Sequence, residues 1–137
     1  MKEWFCTMIG GAGAAVTTFF GGFDEGLTTL LIFMSIDFIS GIVVAGIFKT
    51  SPKTEGGALK SKECLKGIIK KIMMLLLVAV AYRIDIITGN AYIRDMVVIA
   101  FIVNDAISIL ENAGLMGIKL PVALTKAIDI LKEQEEK

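Results

Sequence analysis

Apolar residues along this chain gather into four long blocks, residues 4–23, 26–48, 68–87 and 92–115. About 20 residues at about 1.5 Å of rise each cover the roughly 30 Å of a bilayer's hydrocarbon core, so each block is long enough to cross a membrane as a helix. Polar breaks separate the blocks: Asp24 and Glu25 after the first, a lysine-rich connector over 49–67 after the second, and Thr88, Gly89 and Asn90 after the third. The pattern predicts an all-α fold, a polytopic transmembrane helix bundle of four spans forming a single membrane domain over 1–137. Arg83, Asp85, Arg94 and Asp95 interrupt blocks three and four. A three-span arrangement, with the first block lying on the surface, stays open.

Beyond Pro121 the period changes. Leu120, Leu124, Ile128 and Leu131 fall at i, i+4, i+8 and i+11, one apolar stripe of a C-terminal amphipathic helix over 120–137. It reads either as an interfacial or oligomerising helix or as a solvated tail lying on the bundle.

Composition agrees with a membrane protein. Of 137 residues, 55% are hydrophobic, and mean hydropathy is +0.73, too apolar for an ordinary soluble domain of this length. Net charge is zero, but its distribution is uneven. Lys49, Lys53, Lys60, Lys62, Lys66, Lys70 and Lys71 against Glu55 and Glu63 give the connector region a net charge of +5. Lys and Arg stay on the cytoplasmic side, so blocks two and three are expected to meet there. With four spans both termini are then cytoplasmic, in a multi-pass protein of the bacterial cytoplasmic membrane. Lys70 and Lys71 are expected to snorkel to the headgroups. The first block has no clean small-residue cleavage site and reads as a retained span.

The chain lacks the makings of catalysis. It has no His, and its two cysteines, Cys6 and Cys64, have no metal-ligand spacing. No nucleophile has a base at useful spacing, and the glycines near the N-terminus lie in an apolar run rather than in a phosphate loop. An enzyme, a cofactor and a metal site are therefore not expected. The connector's lysines lack interleaved aromatics, which argues against nucleic acid as a partner.

What remains is polarity inside the apolar blocks. Asp37 stands at the middle of block two, and Asn104 and Asp105 stand inside block four. A carboxylate near a bilayer centre costs roughly 2.5–3.5 kcal/mol on insertion scales unless paired, protonated or wetted. Asp37 is followed by Ser40, Gly41 and Ala45. Asn104, Ser108 and Glu111 fall at i, i+4 and i+7, and Asp105, Ser108 and Asn112 at i, i+3 and i+7. These seams read either as an internal hydrogen-bonded network or as a surface used in transport or assembly. Arg83, if block three runs from 71 to 91, matches the depth of both carboxylates and is a candidate ion-pair partner for Asp37 or Asp105, within or between subunits; outward snorkelling is the alternative. In block one, Gly10, Ala14, Thr18 and Gly22 make a small-residue stripe, suited to close packing within one chain or between copies.

Three strings carry a resemblance: IDFISGIVVAGIFK, GIIKKI, and FIVNDAISILENAGLMGIKLP. Over about residues 36–131 the chain resembles the phage-lysis and toxin-secretion holin family of small bacterial membrane proteins, with Asp105 where relatives are expected to carry Glu. The resemblance implies a protein that accumulates in the cytoplasmic membrane, forms homo-oligomers in contact with lipid, and permeabilises it abruptly. An endolysin or toxin is then cargo, released without specific binding, and the cell lyses. The rival readings from the residues are a small ion channel or transporter subunit using the buried carboxylates, and a non-transporting membrane scaffold.

Overall fold

The computed structural model describes residues 1–52, 55–57 and 60–136. Lys53, expected to help set topology, lies outside them, as does Lys137. The described residues are all-helical: α1 (Lys2–Phe20), α2 (Glu25–Val43) running on through a widened π turn (Val44–Phe48), a short 3-10 turn (Glu55–Gly57), α3 (Ser61–Thr88), α4 (Ile93–Leu115) and α5 (Val122–Glu136).

Local chemistry sets the ends. Asp24 caps α2, its Oδ1 accepting from the Leu27 backbone N–H at 2.9 Å. Gly21 ends α1 in the left-handed conformation at φ 80, with a Tyr82 ring carbon filling the space a Cβ would need. Helix α3 begins at Ser61, well before the apolar block at 68, because the connector's second half continues the helix as about two charged turns. The lysine connector is correspondingly shorter than its charge pattern suggested.

Helices α2 and α4 form the main pairing, and α3 packs on α4. Leu30 and Met34 of α2, Val78 of α3, and Val98 and Ile102 of α4 form the core, with Phe20, Phe33, Met74 and Phe101 around it. Gly41 lies beside the Asn112 amide and Gly67 beside the Phe38 ring, where an added Cβ would make only ordinary contact, at 3.9 Å in each case. Helix α1 has no buried residue, and Phe20 at its C-terminal end packs against the core. Helix α5 lies against α4 through Ile128. Leu124 of its stripe stays exposed.

The polarity is inside out relative to a soluble globule. Ile32, Ile39, Ile69, Ile72, Ile84 and Ile87 point outward, while Asp37, Asp85, Arg94, Asp105 and Asn112 are buried. Among the described residues one helix, Glu25–Phe48, is long and apolar enough to cross a membrane by length and composition. The all-α expectation holds among the described residues.

Candidate functional site

Each of the three packed helices presents one face to the bundle, and that face changes character along its length. On α2 it runs Leu27, Leu30, Met34, Asp37, Gly41; on α4, Arg94, Val98, Ile102, Asp105, Asn112; on α3, read in reverse, Asp85, Ala81, Val78, Met74, Lys71, Gly67. Steps of three and four keep each series on one side of its helix. The middle is apolar and both ends are polar, so two polar clusters form, one near the connector and one at the opposite end.

At the connector end Lys71 sits between two carboxylates. Its Nζ lies 2.6 Å from Asp37 Oδ2 and 3.4 Å from Asp105 Oδ1. Ser108 donates a short hydrogen bond to Asp37 Oδ1. Asn112 Nδ2 donates to Ser40 Oγ at 2.8 Å, and Ser40 donates to the Asp37 carbonyl at 3.0 Å. Asp105 is 1% exposed, and among the described residues its Oδ2 has no hydrogen-bond partner. A cavity of about 360 Å³ adjoins this cluster, lined also by Ser51, Lys60 and Glu63.

At the opposite end Arg94, 5% exposed, gathers three elements. Its Nε donates to the Phe20 carbonyl at the end of α1, and Nη2 to the Gly22 carbonyl at 3.0 Å. Nη1 pairs with Asp24 Oδ2 at 2.9 Å and, more weakly, with Asp95 at 3.3 Å. The Arg94 guanidinium, by donating to Asp24, holds that carboxyl below its ordinary value of 3.8, against a smaller opposing effect of burial. Asp85 of α3 completes the knot. Its two oxygens accept from the backbone N–H groups of Ile93 and Arg94, both at 3.0 Å, so an acid from one helix caps the next.

The expected residues distribute as follows. Asp37, Ser40, Gly41, Asp105, Ser108 and Asn112 come together in the connector-end cluster, and Asn104 and Glu111 lie exposed along the cavity lining. Arg83 does not join them. It is exposed, and Lys71 is the cation both carboxylates meet. The reason is register. Because α3 starts at Ser61, the level of Asp37 and Asp105 falls on Lys71, and Arg83, 12 residues on, lies about 18 Å further along the helix. Lys71 accordingly turns inward instead of snorkelling outward. Lys49, Lys60, Lys62, Lys66 and Lys70 are exposed around the connector end. The α1 stripe is not a seam within the chain: Gly10, Ala14 and Thr18 are exposed, and a Cβ on Gly10 would meet nothing within 4 Å. Gly22 belongs to the bend, at φ 113, where its carbonyl reaches Arg94. Cys6 and Cys64 are free thiols. Among the described residues no group of three acidic, His or Cys side chains is placed to hold a metal. Arg94, Asp24 and Asp85 are the site residues that sequence reasoning passed over, and Lys71, expected to set topology at the headgroups, pairs with Asp37 and Asp105 instead.

Charged groups buried between helices that turn isoleucines outward fit a small helical membrane protein. The comparisons specify it further: a bacteriophage holin family model matches residues 14–133, and the chain belongs to that family. Membership points to a non-enzymatic protein of the cytoplasmic membrane. Among relatives, an uncharacterized protein of Listeria monocytogenes is 40% identical over 132 residues, covering 93% of this chain and 89% of its own length. An uncharacterized protein of Halalkalibacterium halodurans is 38% identical, covering 100% of this chain and 98% of its own. A probable holin of Bacillus phage phi105 is 29% identical, covering 80% of this chain and 76% of its own. No solved structure matches.

Proposed function

We propose that this protein is a holin that crosses the bacterial cytoplasmic membrane four times, with the connector and both termini in the cytoplasm. It oligomerises there and permeabilises the membrane, so that an endolysin or toxin escapes without being specifically bound. Family membership supports the class. The observation that carries the mechanism is the cluster in which Asp37 and Asp105 share Lys71 at one end of the bundle's apolar middle. A buried polar network is tolerated while its members satisfy one another, and in an assembly the same side chains can face water instead. Asp37, Asn104, Asp105, Ser108 and Glu111 form the surface that switches between these two environments. The uncovered Gly10–Ala14–Thr18 stripe of α1 supplies close contact between copies, since small residues let helix backbones approach in lipid.

Inducible expression in a bacterium, with and without a cytoplasmic endolysin, tests the reading. Sudden turbidity loss only in the presence of endolysin is expected, with altered timing in Asp37→Leu and Asp105→Leu at equal expression. Absence of permeabilisation at any expression level refutes it. In liposomes, selective ion flux without release of a protein-sized marker replaces it with the channel reading.

A further inference from the structure

Helix α3 turns Gly67, Lys71, Met74 and Val78 to the bundle and leaves its other side uncovered. On that side Lys62, Lys66 and Lys70 fall at i, i+4 and i+8, and all three are exposed. The stripe continues in apolar residues, with Ile69, Met73, Leu76 and Val80 between 42% and 56% exposed. The two acids of α3 lie elsewhere: Asp85 is buried, and Glu63 lines the cavity and pairs only with Lys66, at 3.7 Å. Among the described residues neither Lys62 nor Lys70 has an ion pair. The helix is also long for a span. Its 28 residues reach about 42 Å, about 12 Å more than a hydrocarbon core. With Thr88 level with the far edge of that core, the excess falls on the first two turns, which carry Lys62 and Lys66, and Lys70 lies within snorkelling reach of the headgroups. From Ile69 to Val80 the apolar part covers about 16 Å, the depth of one leaflet.

We propose that this face of α3 binds an anionic phospholipid of the cytoplasmic leaflet, its phosphate held by Lys62, Lys66 and Lys70 and an acyl chain lying along Ile69, Met73, Leu76 and Val80. The occupant follows from the pattern. Cations alone would fit any anion, and an apolar stripe alone would fit any lipid or helix. An apolar stripe that ends in exposed cations at headgroup depth fits a lipid with net negative charge. Zwitterionic phosphatidylcholine presents the same phosphate and cancels it with its own cation. The inference rests on the reading that α3 crosses the membrane with the connector in the cytoplasm, and it adds a lipid preference which that reading does not require.

The test is photochemical capture. The full chain carrying Ile69→p-benzoylphenylalanine, a change at an exposed side chain, is reconstituted at low ionic strength in nanodiscs of equal phosphatidylglycerol and phosphatidylcholine. It is irradiated, and the adducts are identified by mass spectrometry. A lysine near the surface is worth about a fivefold preference for an anionic lipid, so phosphatidylglycerol should be captured over phosphatidylcholine by about tenfold or more. At about 1 M salt, where screening acts within about 3 Å, the ratio should approach unity. Lys62→Gln combined with Lys66→Gln and Lys70→Gln should bring it within about twofold of unity. Removing three exposed lysines off the stripe, by Lys49→Gln, Lys60→Gln and Lys119→Gln, should leave the preference in place. Equal capture of the two lipids, a preference that the stripe variant keeps, or one that the off-stripe variant loses equally overturns the inference while leaving α3 in the membrane. Capture of a second copy of the chain in place of lipid overturns it as well. Capture of neither overturns the membrane reading along with it.

Discussion

Replacing Lys71 with Met keeps the length and bulk of the side chain and removes its charge. In the native chain Lys71 Nζ lies 2.6 and 3.4 Å from the two carboxylates. Without it Asp37 and Asp105 stay buried with no cation between them. Removing one partner of a buried ion pair costs about 3–5 kcal/mol, because the charge left behind is uncompensated. That corresponds to about two to four orders of magnitude in the ratio of folded to unfolded protein. Neutralising the whole cluster is different in kind. In Lys71→Met combined with Asp37→Asn and Asp105→Asn no charge remains, and the amide carbonyl oxygen introduced at position 37 can still accept from Ser108. The triple variant should therefore recover at least half of the single variant's loss, despite carrying more changes. The assay is unfolding in mixed micelles with increasing denaturing detergent, followed by circular dichroism. Arg83→Leu serves as control: Arg83 is exposed, and its replacement should stay within about 0.5 kcal/mol of the native chain. If Lys71→Met alone falls within about 1 kcal/mol of the native protein, the carboxylates are hydrated rather than buried, and the reasoning fails.

Three further outcomes follow from the opposite end. Arg94→Met strips donors from the Phe20 and Gly22 carbonyls and should cost about 1–3 kcal/mol in the same unfolding assay, with faster proteolysis between α1 and α2. Asp24 titrates below its ordinary value of 3.8 in the folded chain, so its contribution to stability is complete above that value and drains away as pH falls through the lower folded value. Thermal midpoints between pH 5 and pH 3 should record that loss, and Asp24→Asn should abolish this part of it. Gly21→Val sets a branched side chain at φ 80, against the Tyr82 ring. It should cost more than the roughly 1–2 kcal/mol of left-handed strain alone and alter the near-ultraviolet tyrosine signal.

The polar half of the site was readable because a carboxylate is conspicuous in an apolar run. Asp37, Asp105, Ser108 and Asn112 each interrupt one, and helical spacing alone puts the last three on one side of α4. Their cation was not, because Lys71 is the last of a run of lysines whose charge balance already had an explanation in membrane topology. Only the start of α3 at Ser61 shows that Lys71 is 10 residues into a helix, about 15 Å from its beginning, where it can face α2 and α4. Arg94 and Asp85 escaped for a related reason. They read as charges interrupting the third and fourth apolar blocks, whereas the tight turn between α3 and α4 folds Asp85 onto the first turn of α4 and buries both. In each case the information lay in the helix face and not in the composition. Continued at steps of three and four, the face through Val78 reaches Lys71 at one end and Asp85 at the other, opposite Asp105 and Arg94 on α4. An apolar layer closed by an ion cluster at each end fixes the register of α2, α3 and α4 against sliding, because a one-residue shift would expose the core face and strand both sets of charges. Helix α1 is outside that constraint. Among the described residues its hydrogen bonds to the bundle run through the Phe20 and Gly22 carbonyls to Arg94, and it has no buried residue, so the three-helix register does not depend on its long uncovered face.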